Sequence, residues 1–219
     1  MSIAAKLQIM GNTLKEGDPL ELTRRIRKLL YSDLESYVLR RDLTIPLIPR
    51  PQAKISINLR PLEPGDVSQI VAERPQGLLL GVLKTGLPQG YVAVTTDNQV
   101  CYMQWLVAPS HRERLRAFRF RDFHSFDDDT VVLEFAYTFK RFRGLGIMAP
   151  AMAYIAEQGK GAHWAVTYVD RSNIPSLRGC NSAGFFPHQL CRDSWRLFRL
   201  KQSVMEPTSL EPFWNNRSA

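Results

Sequence analysis

A single carboxylate, Glu134, stands in the apolar run TVVLEFAYTF (130–139), and directly after that run comes KRFRGLG (140–146). The pairing offers two kinds of chemistry. Gly144 and Gly146 remove the Cβ atoms that would keep a ligand off the backbone. Lys140, Arg141 and Arg143 supply cations that can make charge-assisted bonds to an anion. If 130–139 is a strand and the apolar run from Met148 a helix, the amides between them are unpaired and face a favourable helix dipole. The loop has neither the G-x-G-x-x-G spacing of a dinucleotide site nor the G-x-x-x-x-G-K-S/T spacing of a P-loop. Glu134 can accept a proton. Strand alternation puts it on one face with Val132, Ala136 and Thr138. The competing reading is a solvated glutamate on a polar strand face.

The other reactive side chains form no cluster. Cys101, Cys180 and Cys191 are odd in number and lack metal-type spacing, which points to a reduced, cytoplasmic chain with no metal site. His163 and His188 read as structural or surface residues, and Asp170 as the cap of a turn before Asn173.

The elements that must position these residues follow from pattern. ISINLRPL alternates as a strand, EPGDVSQIVAERP is a short helix, and GYVAVTTDNQVCYMQWLVA is two strands turning at Asp97-Asn98. After the glycine loop come a small-residue helix (MAPAMAYIAEQGKGA), a strand (HWAVTYVD), a short helix (NIPSLRGCNSAG) and two strands (FFPHQL and SWRLFRLK). Strand, helix and strand around the loop imply a right-handed parallel crossover in an α/β (α+β) fold. Pro150 is an irregularity, because proline inside a helix removes a hydrogen bond and clashes with the preceding turn.

Residues 1–54 read as an N-terminal helical extension with a Pro-rich linker. Leu22, Ile26, Leu29, Leu30, Leu34 and Val38 fall at helical spacing, with Asp18 as the expected cap. TIPLIPRPQAK then forms a stiff extended connection. Residues 55–202 form the main domain, and 203–219 a C-terminal tail. The basic helix over 19–43 either docks on the domain or makes a peripheral membrane contact. Net charge is +8, which favours an anionic partner without choosing its class. The arginine-rich HRERLRAFRFRDF (111–123) is read either as part of an acceptor site or as a solvated face.

Three segments in order resemble the GNAT superfamily of acyl-CoA-dependent N-acyltransferases. RFRGLG has the spacing Arg141-x-x-Gly144-x-Gly146 of the family's pyrophosphate loop, and TVVLEFAYT is similar to the strand before it. Asn173, Ser176 and the pair Gly184-Phe185 are similar to a later segment. The resemblance covers about Ile55 to Lys201. It implies a mixed, mostly antiparallel sheet with a central splayed strand pair, parting beyond Tyr137 and flanked by helices. It implies acetyl-CoA or a longer acyl-CoA as co-substrate. Backbone groups of Ala136, Tyr137 and Thr138 would bond the pantetheine, the amides of Phe142, Arg143, Gly144, Leu145 and Gly146 the pyrophosphate, and Asn173 with Ser176 the far side of the arm. Glu134 is then the candidate base, directly or through water. Cys180 stands where many members have a tyrosine that protonates the leaving thiolate, and it is either that acid or a packing residue.

The resemblance implies an amine-bearing acceptor, whether small molecule, amino sugar or peptide. The small-residue runs MAPAMAYIA and AVTYV leave open a longer acyl chain and a fatty-acyl transferase acting on a peptide lysine or ornithine. No nucleic-acid partner is expected, although a basic nucleic-acid-binding module is the alternative from another class. Oligomerisation is left open.

Overall fold

The computed structural model describes residues 19–73, 90–119 and 126–207. Strands β1 (Tyr31–Asp42), β2 (Ile57–Pro61), β3 (Gly90–Thr95), β4 (Val100–Val107), β5 (Thr130–Thr138), β6 (Trp164–Asp170), β7 (Phe186–Arg196) and β8 (Arg199–Met205) form one sheet. Helices are α1 (Pro19–Leu30), α2 (Asp66–Glu73), α3 (Arg112–Arg119), α4 (Met148–Glu157) and α5 (Ile174–Ser182). The strand order is β2-β3-β4-β5-β6-β1-β7-β8. Among the described residues only the β5–β6 pair is parallel.

Both faces of the sheet are covered, as an amphipathic layer requires. On one face α4 and α5 bury Ile147, Met152, Ile155, Leu177 and Cys180 against Ala93, Tyr102, Leu106, Leu133 and Ala165. On the other, Ile70 of α2 and Leu115 of α3 pack with Val92, Met103, Trp105, Val107 and Val132.

The N-terminal region departs from its sequence reading. The helix ends at Leu30 and the chain turns directly into β1. β1 lies inside the sheet, antiparallel to β6 (Ser36 opposite Asp170 to Asp42 opposite Trp164) and to β7 (Tyr31 opposite Arg196 to Arg40 opposite Phe186). Tyr37 and Leu39 face the α4–α5 side, while Val38 meets Val166 and Cys191 on the other. Three consecutive buried apolar residues suit a central strand. Leu34 and Val38, four apart, imitate helical spacing. Residues 31–42 are therefore neither an appendage nor an amphipathic surface helix, and half of the segment read as a membrane contact is internal strand. Among the described residues no helix is long and apolar enough to cross a membrane.

The Pro-rich connection is also fixed in place. Lys54 N–H donates to the Leu145 carbonyl at 2.9 Å. Glu157 of α4 accepts from buried Arg41 at 2.8 Å and from Arg50 at 3.0 Å. At the C-terminus β7 and β8 form a hairpin whose turn residues, Leu197 and Phe198, have φ of 47° and 63°. Residues 203–205 thus belong to β8 rather than to a loose tail. Asp18 and residues 208–219 lie outside the described residues.

Candidate active site

β5 keeps its parallel pairing with β6 only from Thr130 to Leu133, where Leu133 lies opposite Thr167. Thr167 Oγ donates to the Leu133 carbonyl at 2.9 Å and closes the paired stretch. Beyond that point β5 stays with β4 alone. The parting begins at Leu133, four residues before the expected Tyr137. A bulge begins at the same point. Glu134 pairs with Trp105 and Tyr137 with Met103, so β5 carries one residue more than β4 between these pairs. Phe135 takes φ of 60° to accommodate it, a conformation that a bulky side chain rarely adopts.

The bulge resets the alternation of side chains. Residues opposite one another in an antiparallel pair share a face. Trp105 and Met103 both belong to the α2–α3 face, so Glu134 and Tyr137 are on that face together. The predicted grouping of Glu134 with Ala136 and Thr138 is incorrect, because strict alternation does not survive an inserted residue. Glu134 is 5% exposed and is not among the residues that line the neighbouring cleft.

The loop after β5 has the geometry of an anion-binding turn. Its first turn, Lys140–Phe142, uses two amides internally: Phe142 N–H donates to the Phe139 carbonyl at 2.9 Å and Arg143 N–H to that of Lys140 at 3.3 Å. These two amides are not available to a ligand, which narrows the predicted cradle. From Gly144 to Ala149 no amide has a hydrogen-bond partner among the described residues. Gly144 (φ 79°) and Gly146 (φ 71°) turn the chain into the helix. α4 starts at Met148, which places Pro150 in its first turn, where no intrahelical bond is lost. The irregularity in the sequence thus belongs to the site. Six successive free amides at a helix start form a concave, electropositive nest.

A cleft of about 740 Å³ opens here. Ala136, Tyr137 and Thr138 line it from β5, Phe142, Arg143, Gly144 and Gly146 from the loop, and Asn173, Ser176, Arg178, Gly179 and Ser182 from the far side. Arg143 folds back, its Nε donating to the Thr138 carbonyl at 3.3 Å, with its guanidinium 5.5 Å from the centre of the Tyr137 ring. Arg141 lies over Phe142. Glu73 of α2 accepts from the Tyr137 hydroxyl at 3.2 Å and from Lys140 N–H at 2.8 Å, tying the end of β5 to the opposite layer. Asn173 caps α5, its Oδ1 accepting from Ser176 N–H at 3.3 Å. Its amide nitrogen and the second lone pair of Oδ1 are left for a ligand. Asp170 organises the turn before it, accepting from Ser172 N–H at 2.8 Å.

Cys180 does not fit the role of acid. It is fully buried, its thiol meets Met152 Sδ at 3.7 Å, and it is absent from the cleft lining. Burial pushes its pKa up to about 12. It is a packing residue. His163, stacked on Trp164 at 4.4 Å, and half-buried His188 are also away from the cleft. The arginine-rich segment is helical over Arg112–Arg119, and its remainder from 120 lies outside the described residues.

Sequence reading missed Tyr102, Arg178, Gly179 and Ser182. The last three follow Pro175 along one face of α5 at helical spacing, a signal that was present once Asn173 was placed as the cap. Gly179 has a further reason, since a Cβ there would come within 2.8 Å of Met148 Sδ where α4 and α5 approach.

Solved structures share this fold. An acetyltransferase of the GNAT family from Colwellia psychrerythraea aligns over 82% of this chain with a TM-score of 0.52 and 9% identity. A GCN5-related N-acetyltransferase from Sphaerobacter thermophilus aligns over 80% with a TM-score of 0.52 and 17% identity. The chain has the GNAT fold. It spans 59% and 56% of those two proteins' lengths. A GCN5-related glucosamine N-acetyltransferase region of a fungal multi-domain enzyme also aligns, over 78% of this chain and 22% of that one, with 13% identity and a TM-score of 0.50. No family model matches the sequence, and no curated protein does. Within the GNAT fold the parallel pair that parts is β5–β6, and β1 supplies the strand next to β6.

Proposed function

We propose that this protein transfers an acyl group from an acyl-CoA to a primary amine by direct attack on the thioester. One observation carries the reading. β5 and β6 part at Leu133 beside a cleft whose end holds the free amides of Gly144–Ala149. The parting leaves the backbone edge of Ala136–Thr138 open to an extended amide-bearing arm. The nest, with Arg143 and Arg178 of the cleft lining, suits the pyrophosphate and phosphate at the other end of CoA. The residues present therefore fit the co-substrate.

Within this reading an amide of the bulged segment polarises the thioester carbonyl. Glu134, buried one residue before the bulge and absent from the cleft lining, takes the proton of the attacking amine through water. The amine's lone pair forms the C–N bond, the C–S bond breaks, and its electron pair passes to sulfur. The acyl group is short in this proposal. Ala151, Met152, Ala153 and Ala156 are packed in the core, so the small residues of α4 fill space instead of opening a tunnel for a fatty chain. The basic surface gives little support to nucleic-acid binding, since Arg171 and Arg192 meet Glu35, and Arg196 meets Asp33.

The test is thermal shift with CoA, acetyl-CoA and longer acyl-CoAs, followed by mass spectrometry of an amine panel incubated with the donor that stabilises most. Stabilisation by CoA species and a product heavier by one acyl group are expected. A folded protein that no CoA species stabilises overturns the reading.

A further inference from the structure

With Cys180 buried away from the cleft, the leaving sulfur lacks the donor that position would provide. Tyr102 of β4 is fully buried like Cys180, but unlike Cys180 it forms part of the wall of the same cleft. It lies opposite Thr138 and shares the α4–α5 face with Cys180. Its hydroxyl donates to Gln104 Oε1 at 2.8 Å. Gln104 falls between the pairs Met103–Tyr137 and Trp105–Glu134, directly across from the bulge. It is completely buried, and its Nε2 has no hydrogen-bond partner among the described residues. A buried amide nitrogen without a partner is unfavourable, and Gln104 holds such a group directly across from the bulge.

We propose that Tyr102 and Gln104 form the leaving-group site of the acyl transfer, with the Tyr102 hydroxyl donating a hydrogen bond to the CoA sulfur as the C–S bond breaks. The inference rests on the acyltransferase reading. Among the described residues nothing holds Nε2, so the Gln104 amide is able to turn. In the resting site its oxygen accepts from the phenol. During cleavage its nitrogen donates to the phenol oxygen and strengthens the O–H···S bond. The electron pair of the C–S bond passes to sulfur, Tyr102 keeps its proton, and the proton lost by the amine reaches the thiolate through Glu134 and solvent. Burial raises the Tyr102 phenol well above its ordinary value, with a smaller contribution from Cys180, so the hydroxyl stays protonated and remains a donor. Tyr91, across from Gln104, is also raised by burial. Base and donor are thereby separated, Glu134 on the α2–α3 face and Tyr102 on the other.

The experiment measures the pKa of the CoA thiol bound to the full chain, from its thiolate absorbance, alongside kcat, KM and CoA affinity. In wild type the bound thiol titrates below the ordinary thiol value of about 8.5. Y102F raises it by about one unit or more, as loss of a hydrogen bond to a charged group predicts. Y102F also lowers kcat about ten- to hundredfold, with CoA affinity within about twofold. Q104M gives a smaller loss, and Y102F/Q104M, which replaces both polar partners by apolar groups, is no slower than Y102F alone. An unshifted thiol pKa with kcat within about twofold of wild type in Y102F overturns the inference while leaving the acyltransferase reading intact. A wild type that binds no CoA removes both.

Discussion

The ring of Phe135 meets Trp105 edge-on, with centroids 6.1 Å apart and planes at 87°. This contact holds the residue that carries the bulge. A left-handed backbone at a non-glycine residue costs about 1–2 kcal/mol, and an edge-to-face pair returns about 0.5–1.5 kcal/mol beyond its buried area. Phe135→Ala should therefore lower stability by about 2 kcal/mol. Phe135→Gly should lose about 1 kcal/mol less than that, because glycine adopts the positive φ freely. Chemical denaturation of the two variants gives the comparison, and a glycine variant less stable than the alanine one contradicts the account.

If Glu134 is the base, Glu134→Gln keeps the shape of the site and removes proton acceptance. A fall in kcat of about a hundredfold or more is expected, with little change in CoA affinity. Retained turnover in this variant assigns the base elsewhere.

Gly144 is the position in the loop where conformation can be separated from space. Its φ is 79°, and a Cβ there meets nothing within 4 Å. Gly144→Ala should cost only the backbone penalty, about 1–2 kcal/mol, yet it places a methyl group beside the free amides. CoA binding measured by calorimetry should weaken at least tenfold, a larger loss than the stability change alone explains.

The Asp66 carboxylate accepts from Arg60 Nη1 at 2.7 Å, from Arg60 Nη2 at 2.8 Å and from Glu63 N–H at 2.9 Å, fixing the start of the helix that ends in Glu73. Burial alone would raise its pKa, but the Arg60 and Glu63 bonds outweigh burial and hold it below the ordinary 3.8. A depressed carboxyl stabilises the fold above its unfolded value and loses that contribution as pH falls through the folded one. Stability should thus decline on acidification below about 4. Asp66→Asn should flatten that part of the profile and cost about 2 kcal/mol or more at neutral pH, because Arg60 loses its partner. Thermal melts across pH 2 to 7 (roughly the range over which carboxyls titrate) test both statements.

The central elements were legible because their signals were local. TVVLEFAYTF, the glycine loop and the Asn173 cap each declare themselves in a few residues, and the order of strands and helices followed. The bulge at Phe135 was not legible, since nothing in FAYT marks an inserted residue and the register is set by β4. The fate of Cys180 depended on how α5 lies against Met152, which no spacing reveals. Gln104 reads as an ordinary polar residue of a strand, and only its place opposite the bulge gives it meaning. The two-residue turn at Leu197-Phe198 lacks the glycine or asparagine that usually announces it.

The sharpest departure is β1, and it leads to a stability prediction. A chain starting at Ile55 contains every segment that carries the family resemblance. It lacks the strand that joins β6 to β7, leaving Val166 and Cys191 without Val38 and detaching the β7–β8 hairpin from the sheet. That truncation should fail to fold, giving a broad, low-amplitude melt and dye-binding apolar surface. A gentler version is Leu39→Ala in the full chain. Leu39 is fully buried, so its loss should cost about 2–5 kcal/mol, where an alanine on a docked appendage would cost under about 1 kcal/mol. Cooperative folding of residues 55–219 with native stability would return β1 to the status of an accessory strand.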